Sequence, residues 1–145
     1  MAFDGNFMCT SFKVELLKGI HDFTASSGDT FKIALYTNSA AFRANTTAYT
    51  TANEVSNSGT YSAGGGILVS ATPVASGVVA VCDFADISFT EATITAYGAL
   101  IYNSSASGNP AVAVLDFGSP KTSTTGTFTI SFPAPGSSSA IVRIA

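Results

Sequence analysis

Seven or eight short runs in which apolar residues alternate with small polar ones dominate this chain, and charged residues scarcely interrupt them. A period of two sends successive side chains to opposite faces of an extended backbone, so runs of this kind fold as strands with one face inward. Charged residues are 10% of the 145 and His21 is the one histidine, while Ser and Thr supply about a quarter of the chain, a balance far from that of an average soluble domain. Such a composition favours strands and contact surfaces over polar chemistry. It points to a structural or interaction protein, not an enzyme.

The length suits one domain, 1–145, with enough buried surface to hold itself together without a disulfide or a metal. Its one helical stretch is 7–19, where Phe12 and Leu16 share a face with Gly19-Ile20, Thr10 or Ser11 is placed to cap the start, and Gly19 to end it. From Thr30 the period becomes two, with Phe31, Ile33 and Leu35 alternating with Lys32, Ala34 and Tyr36. Residues 37–66 lack a clear period, and a connection of that length is functional or ordered by contacts elsewhere. Further strands are predicted at 67–72, 78–84, 86–90, 92–103, 111–117, 126–132 and 140–144, separated by turn-forming residues at 73–77, 103–110, 118–126 and 133–136. The expected fold is mainly β, an antiparallel two-layer β-sandwich over 30–145 preceded by an amino-terminal arm and one short α-helix over 1–22.

The net charge of -3 and six scattered basic residues argue against a nucleic-acid partner, because neutralising phosphates needs clustered Lys and Arg. No segment has eighteen unbroken apolar residues, and the start lacks the basic and apolar regions of a secretion signal, so the expectation is synthesis in a cytoplasm with no membrane span. Cys9 and Cys82 match neither a zinc motif nor a C-x-x-C pair and read as two buried reduced thiols. A Ser or Cys nucleophile would need His21 as its base, and His21 follows the helix in an ordinary connector. Asp83 with Asp86, or with Glu54 if folding joins them, lacks the dense ligand loop of a calcium site and reads as turn hydrogen bonding. Asp116 reads as a strand-end residue. Gly64-Gly65-Gly66 lacks the Lys-Ser or Lys-Thr of a phosphate cradle and opens a strand, so it reads as a bulge or a tight entry into the sheet. No cofactor or metal is expected.

Phe12-Lys13-Val14-Glu15-Leu16-Leu17-Lys18-Gly19, followed by Asp29-Thr30-Phe31-Lys32-Ile33-Ala34-Leu35-Tyr36-Thr37, resembles the opening of small virion structural proteins of tailed bacteriophages. The likeness continues, in order, through Asn53-Glu54-Val55-Ser56, Gly59-Thr60-Tyr61-Ser62-Ala63-Gly64-Gly65, Ala92-Thr93-Ile94-Thr95-Ala96-Tyr97-Gly98-Ala99-Leu100-Ile101-Tyr102 and Leu115-Asp116-Phe117-Gly118. The resemblance implies a capsid decoration or cement protein that stabilises the head and is assembled into the virion in the host cytoplasm. A tail, collar or fibre-attachment component is the alternative, and a carbohydrate-binding adhesive module using Tyr49, Tyr61 and Tyr102 is a third reading. The expected partners are the major capsid protein or another virion protein and further copies of the chain, with a trimer favoured at a capsid three-fold position. The candidate interface residues are Phe3, Phe7, Phe12, Leu16, Tyr49 and Tyr61: an amino-terminal set for docking and two tyrosines from the long connection.

Overall fold

The computed structural model describes residues 3–145; the first two residues of the expected amino-terminal arm lie outside the described residues. In chain order the elements are β1 (Phe7–Met8), α1 (Thr10–Leu17), β2 (Phe31–Tyr36), β3 (Gly66–Ile67), β4 (Ser70–Ser76), β5 (Val79–Phe84), β6 (Ile87–Asn103), β7 (Ala111–Ile130) and β8 (Val142–Ile144). They form a five-stranded sheet in the order β1-β7-β6-β2-β3 and a three-stranded sheet in the order β4-β5-β8. Every pairing is antiparallel. The fold is therefore mainly β and sandwich-like with one short helix, as the alternating runs predict. One core joins both sheets: Phe31, Ile33, Leu100 and Val114 of the larger pack with Phe84 and Val142 of the smaller. No helix among the described residues is long and apolar enough to cross a membrane.

Helix α1 is shorter than the predicted 7–19. Phe7 and Met8 are extended instead, paired with Val114 and Ala113 of β7. Neither Thr10 nor Ser11 caps the helix; the capping position is Cys9, whose side chain makes no capping hydrogen bond. The far end follows the expected glycine stop. Gly19 has φ +71°, its N–H donates to the Leu16 carbonyl, and the Ile20 N–H donates to the Glu15 carbonyl, both at 3.0 Å. This is a left-handed cap that supplies donors to two carbonyls of the last turn. Phe12 lies fully inside, against Phe23 and His21. Phe23 in turn stacks on Phe31 of β2 with ring centroids 4.2 Å apart.

Strand β2 differs from its alternating pattern in a useful way: both faces are covered, and only Lys32 is partly exposed. The long connection 37–65 supplies the second cover. Phe42 meets the Tyr36 ring edge-on at 4.5 Å, the Tyr36 hydroxyl donates to the Thr50 carbonyl, and the Val55 N–H donates to the Leu35 carbonyl.

Three predicted boundaries shift because turn residues act as bulges inside strands. Segments 86–90 and 92–103 are one strand, β6, in which Glu91 at φ +52° absorbs a register change. Segments 111–117 and 126–132 likewise join as β7, and residues 117–120 bulge out opposite Tyr97, between the pairs Gly98 with Asp116 and Ala96 with Lys121. The Asp116 carboxylate accepts the Gly118 N–H inside this bulge and is not at a strand end. Conversely, the predicted strand 67–72 divides between sheets: Ile67 pairs with Lys32, Ser70 and Ala71 pair with β5, and buried Leu68 crosses between them. Strand β4 runs on through the predicted turn at 73–77, with Pro73 seated at a register shift where no ladder N–H is needed.

Both thiols are free. Cys9 is wholly buried, and burial pushes it from 9.0 up to about 11. Cys82 is only half-buried, beside the core instead of inside it, with the same rise to about 11 from loss of hydration.

Candidate functional site

Two polar clusters lie inside the protein, one around His21 and one around Glu54. The first is built on His21, whose side chain is wholly enclosed between α1 and the start of the sheet region. The Asn103 side-chain oxygen accepts the N–H groups of Ser105 and Ala106, at 2.9 and 3.2 Å. Its amide nitrogen must then face the other way, where it donates to Asp29 Oδ2 at 2.7 Å and to His21 Nδ1 at 3.1 Å. With Nδ1 accepting, the ring proton resides on Nε2, which donates to Glu15 Oε2 at 2.7 Å. Each ring nitrogen thus has a protein partner, and Phe12 and Phe31 flank the ring. The arrangement ties the helix, the connector and the β6–β7 loop together, and it leaves His21 no free nitrogen for a substrate.

The second cluster gathers four of the five tyrosines around Glu54. The Tyr49 hydroxyl donates to Glu54 Oε2, and the Tyr61 hydroxyl and the Gly64 N–H donate to Oε1, each at 2.7 Å. Tyr61 also accepts the Leu35 N–H, and Tyr102, stacked on Tyr49 at 4.5 Å, donates to the Gly64 carbonyl. The unpatterned connection 37–65 is ordered by this cluster. Burial, reinforced by the Glu54 charge, raises the hydroxyls of Tyr36, Tyr49 and Tyr61 well above the usual phenol range and moves Tyr102 to about 12.

A raised folded-state value means that the folded protein keeps protons that the unfolded chain releases. Stability contributed by the tyrosines is therefore complete below their ordinary 10.0 and lost as pH rises past it toward the Tyr102 value of about 12; the thiols begin the same loss from 9.0. In a base titration most of the phenolate absorbance is expected to appear together with loss of the β-sheet circular dichroism. A phenolate signal complete near 10 in a still-folded protein would contradict this.

The predicted interface residues separate into two groups. Phe3, Phe12 and Tyr61 are buried in the chain's own core and offer no area to a partner, which corrects their assignment as docking residues. Phe3 packs against Phe42, Phe12 anchors α1, and Tyr61 meets Phe89 edge-on. The physical reason is that a chain with so many Phe in its first thirty-one residues uses them to close its own sheet edge and helix face. Phe7, Leu16 and Tyr49 are half-buried. Phe7 borders an open groove between β1 and the end of β8, and Leu16 borders an apolar cleft between α1 and the small sheet that Cys82 and Val142 also line. Among the described residues no group of three or more His, Cys, Asp or Glu is arranged to hold a metal. Asp86 accepts the N–H of Phe132, just beyond the end of β7, a contact between segments distant in the chain in place of the local turn bonding expected, and Glu54 is committed to the tyrosines.

What remains open is the outer face of the β6–β7 ribbon, which sequence inspection did not single out. Ser88, Thr90, Thr93 and Thr95 on β6 and Thr122, Thr124, Thr127 and Thr129 on β7 are exposed, with Phe89, Ile94, Phe128 and Ile130 pointing inward between them. Hydroxyls meet across the strands at Ser88 and Thr129, 2.8 Å, and at Thr95 and Thr122, 3.3 Å. Only Glu91 and Lys121 charge this stretch. Its signal in the sequence is the repeated Thr-x-Thr spacing. Compared with protein-family models, curated proteins and solved structures, the chain matches none.

Proposed function

We propose that this chain is a structural subunit of a tailed-bacteriophage virion, a capsid decoration or cement protein acting through protein–protein contacts with the major capsid protein and with its own copies. The ordered likeness of its segments to small virion proteins suggests the setting, and the observation that carries the reading is the hydroxyl-lined face of the β6–β7 ribbon, a stretch that only Glu91 and Lys121 charge. A stiff two-stranded ribbon, backed by core residues and lined by short side chains with little entropy to lose, suits a permanent contact better than a steered, transient one. His21, Glu15, Asp29 and Glu54 are instead committed to hydrogen bonds within the fold.

A tail or collar position is the second reading, since the same ribbon would serve there. The carbohydrate reading loses its platform: Tyr61 and Tyr102 are buried, and Tyr49 is stacked on Tyr102 with its hydroxyl held by Glu54. Electron cryomicroscopy of the particle whose genome encodes the chain tests the proposal. Density for this fold on the capsid lattice is the expected result; density at the tail supports the second reading, and a purified particle lacking the chain overturns both.

A further inference from the structure

An unpaired strand edge runs along one side of the molecule. Strand β7 is covered on its inner side by β6 throughout, but on its outer side only near its start, by β1, by the Cys9 N–H on the Val112 carbonyl and by Asn6 on the Asp116 N–H. Beyond that point, among the described residues, no backbone group outside β6 bonds to β7. Free edges of this kind template pairing with another chain, and proteins ordinarily guard them with Lys, Pro or a bulge. Here the guards stand only at the ends: Lys121 and the bulge at Thr125, φ +42°, on one side and Pro133 on the other. Residues 126–131 between them are open, uncharged and free of proline. A groove of about 380 Å³ follows this edge, lined by Phe117, Phe128 and Ile130 together with Thr127 and Thr129, with Lys121 at its margin.

We propose that residues 126–131 of β7 pair antiparallel with the same segment of a second copy, joining the two larger sheets across a two-fold axis. A strand added at this edge must present apolar side chains to the groove and short polar ones to the ribbon's outer face, alternating, with no charge. Thr127-Phe128-Thr129-Ile130 has that pattern itself. A two-fold axis perpendicular to the sheet keeps Phe128 and Ile130 of both copies on one side and the threonines on the other. Self-pairing of a charged edge would set like charges opposite one another; this segment brings none. Pairing of this kind closes at two copies, in place of the three expected from a capsid three-fold.

This inference specifies the self-association within the structural-subunit reading, and its test uses only the purified full chain, so its failure is separate from absence of the chain from a particle. Sedimentation or light scattering is expected to show a concentration-dependent dimer. The double variant Thr127→Lys/Thr129→Lys, at two exposed positions, is expected to weaken the dimer by about tenfold or more, because lysines guard an edge. The control Leu17→Lys/Val78→Lys, which adds the same two charges at fully exposed positions on α1 and in the turn before β5, is expected to leave it within about twofold. Amide exchange of the unmodified chain supplies a second reading that does not depend on the variants folding: amides in 126–131 should slow as concentration rises. A monomer at every concentration up to about 100 micromolar, well above the range of a specific interface, a trimeric mass, an edge variant as dimeric as the parent, or concentration-independent exchange in 126–131 would each overturn the proposal.

Discussion

Replacing Gly65 with alanine is expected to destabilise the protein by about 3–4 kcal/mol, combining the strain of a side chain in the left-handed region with overpacking against backbone. Gly65 has φ +80°, and a Cβ built on it would lie 1.9 Å from the Ile33 carbonyl oxygen and 2.5 Å from its carbon. Neither atom is free to yield, because Ile33 sits inside β2 with Ile101 on one side and Gly66 on the other. The close approach is what lets the long connection turn into β3 and close the edge of the larger sheet. Gly108 gives the matching control: its φ is +82°, with nothing within 4 Å of an added Cβ. Gly108→Ala should cost only about 1–2 kcal/mol, the conformational part alone. Denaturant unfolding of both variants separates the two contributions, and equal losses would show that the contact with Ile33 carries no weight.

The second large effect is expected at Glu54. Glu54→Ala removes the acceptor for the Tyr49 and Tyr61 hydroxyls and the Gly64 N–H together, and hydrogen bonds to a charged group count for more than neutral ones. We expect a loss of about 3 kcal/mol, less than the sum of three such bonds because the freed hydroxyls find water. Glu54→Gln keeps one acceptor oxygen for Tyr61 and Gly64 while the Tyr49 hydroxyl turns to accept from the new amide, so its cost should be nearer 1 kcal/mol. Amide exchange adds a local signature. Because Glu54 holds the connection to the tyrosines, residues 37–65 should exchange faster in Glu54→Ala, while the ladder of β6 and β7 keeps its protection. Uniform loosening of the whole chain would argue that the cluster has no special hold on that segment.

The corrected placements of Phe3, Phe12 and Tyr61 bear on how the composition is read. Abundant Phe and scarce charge suggest surface waiting for a partner, yet thirty-two apolar residues among the described ones are buried within the single chain. The large exposed apolar residues include Leu17 on α1, Val74 on β4 and Val78 in the turn before β5. The self-association proposed above uses backbone hydrogen bonding at an edge, a surface feature that composition does not report.

Local regularities were legible without the structure. Alternation located β2, β5 and most of β6 and β7; Gly19 marked the end of the helix; the Asn-, Ser- and Gly-rich stretch at 103–110 marked a hairpin loop. Each depends on neighbours a few residues apart, where period and backbone preference act directly. The tertiary structure alone decided the rest. Gly118 and Glu91 look like chain breaks, but the paired strand opposite each absorbs them as bulges. Residues 67–72 read as one strand, but Phe31, whose carbonyl accepts the Leu68 N–H, and Phe84, paired with Ser70, hold the two ends in different sheets. Glu54 found its three donors, Asn103 its orientation, and β7 its uncovered edge only when strands distant in the chain came together. Period and propensity set what each segment is; pairing between distant segments, whose energy appears only after the chain has closed its loops, sets where each one goes and which groups it leaves free.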